Sequence, residues 1–320
     1  MLRPALAAAL AAAIALPALG QSSYPSKPIL LVIAFAPGGG TDTTGRIVAK
    51  RLGETLGQQI VVENRAGAGG NIATDFVAKA APDGYTIALT SVGPLTVAPH
   101  MIAKLPYDPK KDVAPVSLAV TFPNALVVHP STGAQSLADM LKLGQRKEGI
   151  GYGSSGIGGT GHLAGALLAS MSKVPLVHVP YKGGGPAMQD LLGGQVPTCF
   201  CAMPTSLPHI KAGKIRAIAT TGPKRSAALP DVPTVAEQGV PGYEATNWYA
   251  FVAPAKTPAP IIERLNREIT AALRSKETHD QLEAHGMEPI PSTPAELTKQ
   301  IEREYAVWGK IVKEAGITAN

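Results

Sequence analysis

The chain has 320 residues, 45% of them hydrophobic but only 5% aromatic, and its 29 Lys and Arg against 23 Asp and Glu give a net charge of +6. That length suits two structural units, and the basic surplus is scattered without aromatic interleaving, which argues against nucleic-acid binding. Two cysteines and seven histidines show no metal-ligand spacing, so neither a metal centre nor a cofactor is expected.

Residues 1–20 combine Arg3, the apolar stretch "ALAAALAAAIALPA" and the small residues Ala18 and Gly20. This pattern predicts a secretory signal peptide cut after Gly20, and the stretch is too short for a membrane span. The mature chain would begin at Gln21 and carry a charge of about +5. Export would place the protein outside the cytoplasm.

From residue 29 short apolar runs alternate with helical patterns. "ILLVIAF" (29–35) reads as a strand buried on both faces. Val48, Leu52 and Leu56 mark one face of a helix that stops at Gly57. "QIVVEN" (59–64) is a second strand, residues 71–80 a helix and "YTIALT" (85–90) a third strand. "NALVVHP" (124–130), "GIGYGSS" (149–155), "PLVHVP" (175–180), "VPTCFCA" (196–202) and "KIRAIATT" (214–221) are further strands, with helices among them. The alternation predicts an α/β fold with parallel-rich sheets flanked by helices. Near the end, Ile262, Leu265, Ile269 and Leu273 define one amphipathic helix. Leu297, Ile301, Tyr305 and Trp308 define another. Neither opens a new strand series, so both should pack back on the first unit.

Three glycine-rich loops follow strands and precede helices: "APGGGTDTTGR" (36–46), "SSGIGGTGH" (154–162) and "YKGGGP" (181–186). Each places unpaired N–H donors and a partial positive charge at a helix start, the setting for a carboxylate or phosphate. A nucleotide P-loop is excluded because Arg46-Ile47 follows Gly45 in place of Lys-Ser/Thr. Two overlapping Gly-X-Gly-X-X-Gly matches, starting at Gly151 and Gly156, lack the ribose-binding acid of a dinucleotide site. Ser154-Ser155 is no nucleophile elbow, since Ile157 holds the closing glycine position. His162 could act as a base for Ser155 in a secreted hydrolase, but a capping role suits a helix-start histidine better. No catalytic residue is assigned, and the loops suit a binder rather than an enzyme. Gly39 is expected to require positive φ and close backbone approach, and Asp42 to stabilise its helix start. Cys199 and Cys201, two residues apart on one strand face, sit near the upper limit for a disulfide and are unfavourably oriented for one; they are read as buried small hydrophobes, with a free thiol as the residual alternative.

Seven segments resemble, in order, the Bug (TctC-like) family of extracytoplasmic solute receptors of tripartite tricarboxylate transporters. They are "YPSKPILLVIAFAPGGGTDTTGR", "VVENRAGAGGNIATDFVAKAAPDGYT", "LPYDPKKDVAPV", "YGSSGIGGTGHLAG", "VHVPYKGGGPAMQDLLGGQV", "KRSAALPDVPTVAEQGVPGYEATNWYAFVAPAKTP" and "EYAVWGKIVKEAGI". The resemblance implies a two-lobe periplasmic binding protein of the second structural type. Lobe one would comprise residues 21–123 plus 249–320, and lobe two residues 124–248. The cleft between them would close on a small carboxylate, held by main-chain amides, hydroxyls and waters. By motif, Ala36, Pro37, Gly38, Gly39, Gly40, Thr41 and Asp42 would form one side of the site. Ser154, Ser155, Gly156, Gly158 and Thr160 would form the other, with His162, Tyr181 and Lys182 beside them. Where many relatives carry Asp or Asn, this chain has Cys201, Ala202 and Met203, which implies a more apolar pocket and a monocarboxylate, aromatic acids included. The implied partners are the large and small membrane subunits of such a transporter, with the receptor itself a monomer. A sensor working with a receptor kinase is the alternative.

Overall fold

The computed structural model describes residues 24–314 and 316–317; the expected signal peptide lies outside them. In chain order the first part contains β1 (Ile29–Ile33), α1 (Gly40–Leu56), β2 (Ile60–Asn64), α2 (Asn71–Ala78), β3 (Thr86–Ser91) and α3 (Ala98–Met101). Then follow β4 (Val113–Val128), α4 (Leu137–Gly144), β5 (Ile150–Ser154), α5 (Thr160–Ser172), β6 (Leu176–Pro180) and α6 (Gly184–Leu192). Next come β7 (Thr198–Ala202), α7 (Met203–Lys211), β8 (Arg216–Thr220) and β9 (Thr246–Pro254). The chain ends with α8 (Ala259–Arg274), α9 (Lys276–Ala284), β10 (Glu288–Pro289) and α10 (Pro294–Glu314).

The strands join in the order β2-β1-β3-β9-β4-β7-β5-β6, with β8 and β10 also on β4. The outer trios β2-β1-β3 and β7-β5-β6 are parallel, and each follows the strand–helix–strand alternation of the sequence. The centre is antiparallel, because β4 and β9 run in opposite directions side by side. The sheet is therefore mixed, parallel at both flanks, with helices on its faces.

β4 links the two trios, reaching one directly through β7 and the other through β9. Residues 113–123 pair with β9 as far as Pro123↔Thr246, and from Asn124↔Ala202 onward the strand pairs with β7 and β8. The sequence reading begins this strand only at residue 124, because Pro115 and Pro123 look like breakers. Both are accommodated: Pro115 adjoins a register shift, where a missing N–H is tolerated, and Pro123 sits where the strand changes partners. The helix α9 also escapes sequence reading, since only Thr278 and Leu282 are buried along it and no apolar stripe results.

Strand alternation divides the core into two layers. Ile29, Leu31 and Ile33 face one layer with Val48 and Leu52 of α1, while Val32 and Ala34 face the other with Leu163 and Phe200. Along β4, Leu126 and Val128 join the layer of Val32, and Ala125 and Val127 join that of Ile29. Each layer thus runs unbroken from one trio to the other. α8 buries Leu265, Ile269 and Leu273, and α10 buries Leu297, Ile301 and Trp308. Tyr305 instead packs its ring 4.2 Å from His100 at the layer's edge.

The two cysteines overturn the expectation of unbonded buried hydrophobes: Cys199 and Cys201 form a disulfide. Two strand rises span about 6.6 Å, but here the Cα atoms are 5.3 Å apart. Local contraction of β7 brings the two same-face side chains within reach. Denatured but unreduced protein should titrate no thiol, and reduced protein two. Because the closed loop is so short, reduction should lower unfolding free energy by no more than about 2 kcal/mol in denaturant titrations. Two reactive thiols before reduction would refute the bond.

Candidate binding site

The glycine loops after β1, β5 and β6 end at one partly open cavity. It lies at the carboxyl ends of the parallel strands, where open α/β sheets place ligands. Phe35, Gly39, Gly40 and Thr41 line it from the β1–α1 junction, Ser155 and Thr160 from the β5–α5 junction, and Gly184 from the start of α6. Cys201, Ala202 and Thr205 come from the β7–α7 junction, and Ser91, Asn124, Asn247 and Tyr249 from strands β3, β4 and β9. None of these side chains is ionisable at neutral pH. Four helices, α1, α5, α6 and α7, begin at this cavity. The main-chain amides of Thr41, Thr160 and Gly184 meet no acceptor among the described residues. The first-turn N–H groups of a helix have no intrahelical partner, and they carry its positive partial charge. The cavity is therefore neutral in side chains and positive in potential.

Polar residues outside the lining hold the loops in place. The carboxylate of Asp42 accepts from the Gly38 amide at 3.1 Å, from Arg46 Nε at 2.9 Å and from Asn64 Nδ2 at 3.0 Å. The same Asn64 nitrogen donates to the Phe35 carbonyl at 2.9 Å. Ser154 Oγ accepts from the Gly156 amide at 3.1 Å and meets His178 Nε2 at 2.7 Å. His162 Nδ1 accepts from the Gly158 amide at 3.2 Å. Its ring stacks on that of His178 with centroids 3.9 Å apart. The imidazole is thus a loop cap. Among the described residues no hydrogen bond joins it to Ser155, so the serine–histidine pair of a hydrolase is not assembled.

Contacts between the two trios close the cavity. The Ala36 amide donates to the Lys182 carbonyl at 3.2 Å, and the Gly40 amide to Thr205 Oγ1 at 3.1 Å. A Cβ on Gly40 would lie 2.8 Å from the Tyr249 hydroxyl and against the Pro204 ring.

Of the residues named from sequence, Gly39, Gly40, Thr41, Ser155 and Thr160 line the cavity. Asp42, Ser154 and His162 support the loops, while Ala36, Gly156 and Gly158 form their backbone. Pro37, Gly38 and Lys182 are exposed. Tyr181 turns aside to donate to Asp190 Oδ2 at 2.8 Å. Positive φ belongs to Gly38, at 78°, whereas Gly39 is extended at −88°. Met203 is fully buried in the core and does not line the cavity. Phe35, Ser91, Asn124, Gly184, Thr205, Asn247 and Tyr249 were missed; only the glycine loop 181–186 gave any sequence signal, for Gly184.

A family profile described as "Tripartite tricarboxylate transporter family receptor" matches residues 44–317. The chain belongs to that receptor family. Protein BugT of Bordetella pertussis is 39% identical over 300 residues, 93% of this chain and 92% of BugT. An R. palustris protein solved with adipate superposes with a TM-score of 0.89 at 39% identity, over 92% of this chain and 99% of that one. MatC from Rhodopseudomonas palustris with bound malate gives 0.86 at 32% identity, over 90% of this chain and all of MatC. The Bug and TctC proteins are periplasmic solute-binding receptors and not enzymes.

Two outcomes follow from the site's geometry. Gly40→Ala should leave far-UV circular dichroism unchanged but weaken carboxylate binding at least tenfold in calorimetric titrations, because the new methyl forces the Tyr249 side apart. Gly38→Ala, whose methyl would meet nothing within 4 Å, should cost about 1 kcal/mol of stability through its φ alone and bind nearly as well. Equal binding losses in both would refute this division. The histidine pair gives the second outcome. Burial pushes His162 down to about 4, and burial with the neighbouring ring pushes His178 down to about 3. The unfolded chain, with imidazoles near 6.5, binds more protons below that pH, so stability contributed by the pair is complete above pH 6.5 and lost as pH falls. The melting temperature should drop between pH 6.5 and 5, above the carboxylate range, and His178→Gln should flatten that slope.

Proposed function

We propose that this receptor captures a small organic carboxylate in the neutral-walled cavity. The two sheet trios act as lobes that close over it, with the crossings near residues 123–124 and 245–246. The observation that supports this reading most directly is the convergence of four helix starts, three of them with unpaired amides, on a cavity without one cationic side chain. Such a site attracts an anion, and amide-to-carboxylate hydrogen bonds are charge-assisted and strong. A phosphate would fit the same donors, but the solved relatives that hold adipate and malate favour a carboxylate. The receptor would be exported by its leader, act as a monomer, and deliver its ligand to the large and small membrane subunits of a tripartite tricarboxylate transporter.

The test is a thermal-shift and calorimetric screen of protein unfolded and refolded once to strip bound ligand. The panel contains adipate, malate, citrate, benzoate and the matching amides. An acid at a hundred times its Kd should add about 2.7 kcal/mol of stability, and its amide none. A panel in which no acid raises the melting temperature, or acid and amide act alike, would remove the carboxylate reading.

A further inference from the structure

Among the cavity residues, Asn124 and Asn247 stand apart energetically. Asn124 is 1% exposed and Asn247 5%. Asn124 Nδ2 and Asn247 Oδ1 are buried with no hydrogen-bond partner among the described residues. Neither side chain makes a hydrogen bond to the protein. A buried amide atom without a partner costs on the order of 1–3 kcal/mol, a cost that a leucine of similar volume would not incur. Other unpartnered side-chain atoms lie elsewhere, but these two are the ones that border the cavity.

Their placement is also specific. Phe122 pairs with Asn247, and Pro123 with Thr246. Asn124 is therefore two residues beyond the strand partner of Asn247, and both residues border the cavity. They are contributed by β4 and β9, the two strands at which the chain passes between the trios. The helix starts that serve the first carboxylate come from α1, α5, α6 and α7, whereas the asparagines reach the cavity from strands.

Resting on the carboxylate reading above, we propose that Asn124 and Asn247 are the specificity-determining pair for a second, oxygen-bearing end of the ligand, a carboxylate or a hydroxyl. Rotation of an asparagine amide exchanges its donor and acceptor, so the pair can serve a carboxylate with two N–H donors or a hydroxyl with one donor and one acceptor. An alkyl or aryl terminus would leave both amides unpaired. Asn124 is the cross-strand partner of Ala202, so the apolar pocket inferred from Cys201 and Ala202 adjoins polar side chains within the same cavity. A monocarboxylic acid with a hydrocarbon tail is the wrong ligand class.

The experiment uses three series on the stripped mature protein by calorimetry: straight-chain diacids from succinate to suberate, the corresponding ω-hydroxy acids, and the monoacids from butanoate to octanoate. At the preferred length the diacid or hydroxy acid should bind at least tenfold more tightly than the monoacid, and the better of the two identifies the terminus. Asn124→Leu and Asn247→Leu should each reduce that preference about tenfold by weakening the bifunctional ligand while leaving monoacid affinity within a few-fold. Without ligand, both variants should melt no lower than the wild type, because each removes an unsatisfied buried group. A purely structural role would instead lower the melting temperature and leave the preference intact. Equal wild-type affinity for monoacid and bifunctional acid overturns the proposal even if neither variant folds, as does equal loss of both ligand types in the variants. Binding of no acid at all would instead overturn the carboxylate reading on which it rests.

Discussion

A helix cannot satisfy the amides of its own first turn, and this receptor brings four such starts to one place. Their combined partial charge must be met by water or by an anion, and the cavity they surround offers no cationic side chain to share the task. Much of the architecture serves this gathering. The parallel trios aim the carboxyl ends of β1, β5, β6 and β7 at a common point, and short glycine loops let each following helix begin there without a side chain in the way. The arrangement places positive potential where a lysine would have added flexibility and a large desolvation cost.

Holding those helix starts requires polar scaffolding behind them. Asp42 gathers three donors, from Gly38, Arg46 and Asn64, and so fixes the first loop from below. The stacked rings of His162 and His178 do the same for the second loop through Gly158 and Ser154. The two supports differ in kind. One is ionic and partly open to solvent through Arg46, whereas the other relies on imidazoles that stay neutral because they are buried.

This difference explains what could be read from the sequence. Loop positions followed from local chemistry, since an apolar run, a glycine cluster and a helical period are neighbours in the chain, and Gly39, Gly40, Thr41, Ser155 and Thr160 do border the cavity. Roles within a loop did not follow, because whether Asp42 faces a ligand or an arginine depends on one turn of backbone. Asn124, Asn247 and Tyr249 were invisible because they lie within strands and meet at the cavity only through the pairing of β4 with β7 and β9, which joins segments far apart in the chain. The prolines within β4 concealed that pairing further. Cys199 and Cys201 were misjudged because ideal strand spacing was assumed where β7 contracts.

The continuity of both core layers through β4 means that the two trios are not independently packed bodies joined by slack linkers. Two adjacent strands carry the chain between them, and at the junction one of the paired residues is Pro123. Proline has no amide hydrogen, so the rung it would have donated to the neighbouring strand was never built. A sheet that bends at this residue sacrifices one bond fewer than it would at the non-proline residues beside it. If the trios move as lobes, this point between the β9-paired stretch of β4 and the stretch paired with β7 and β8 is where bending would break the fewest bonds.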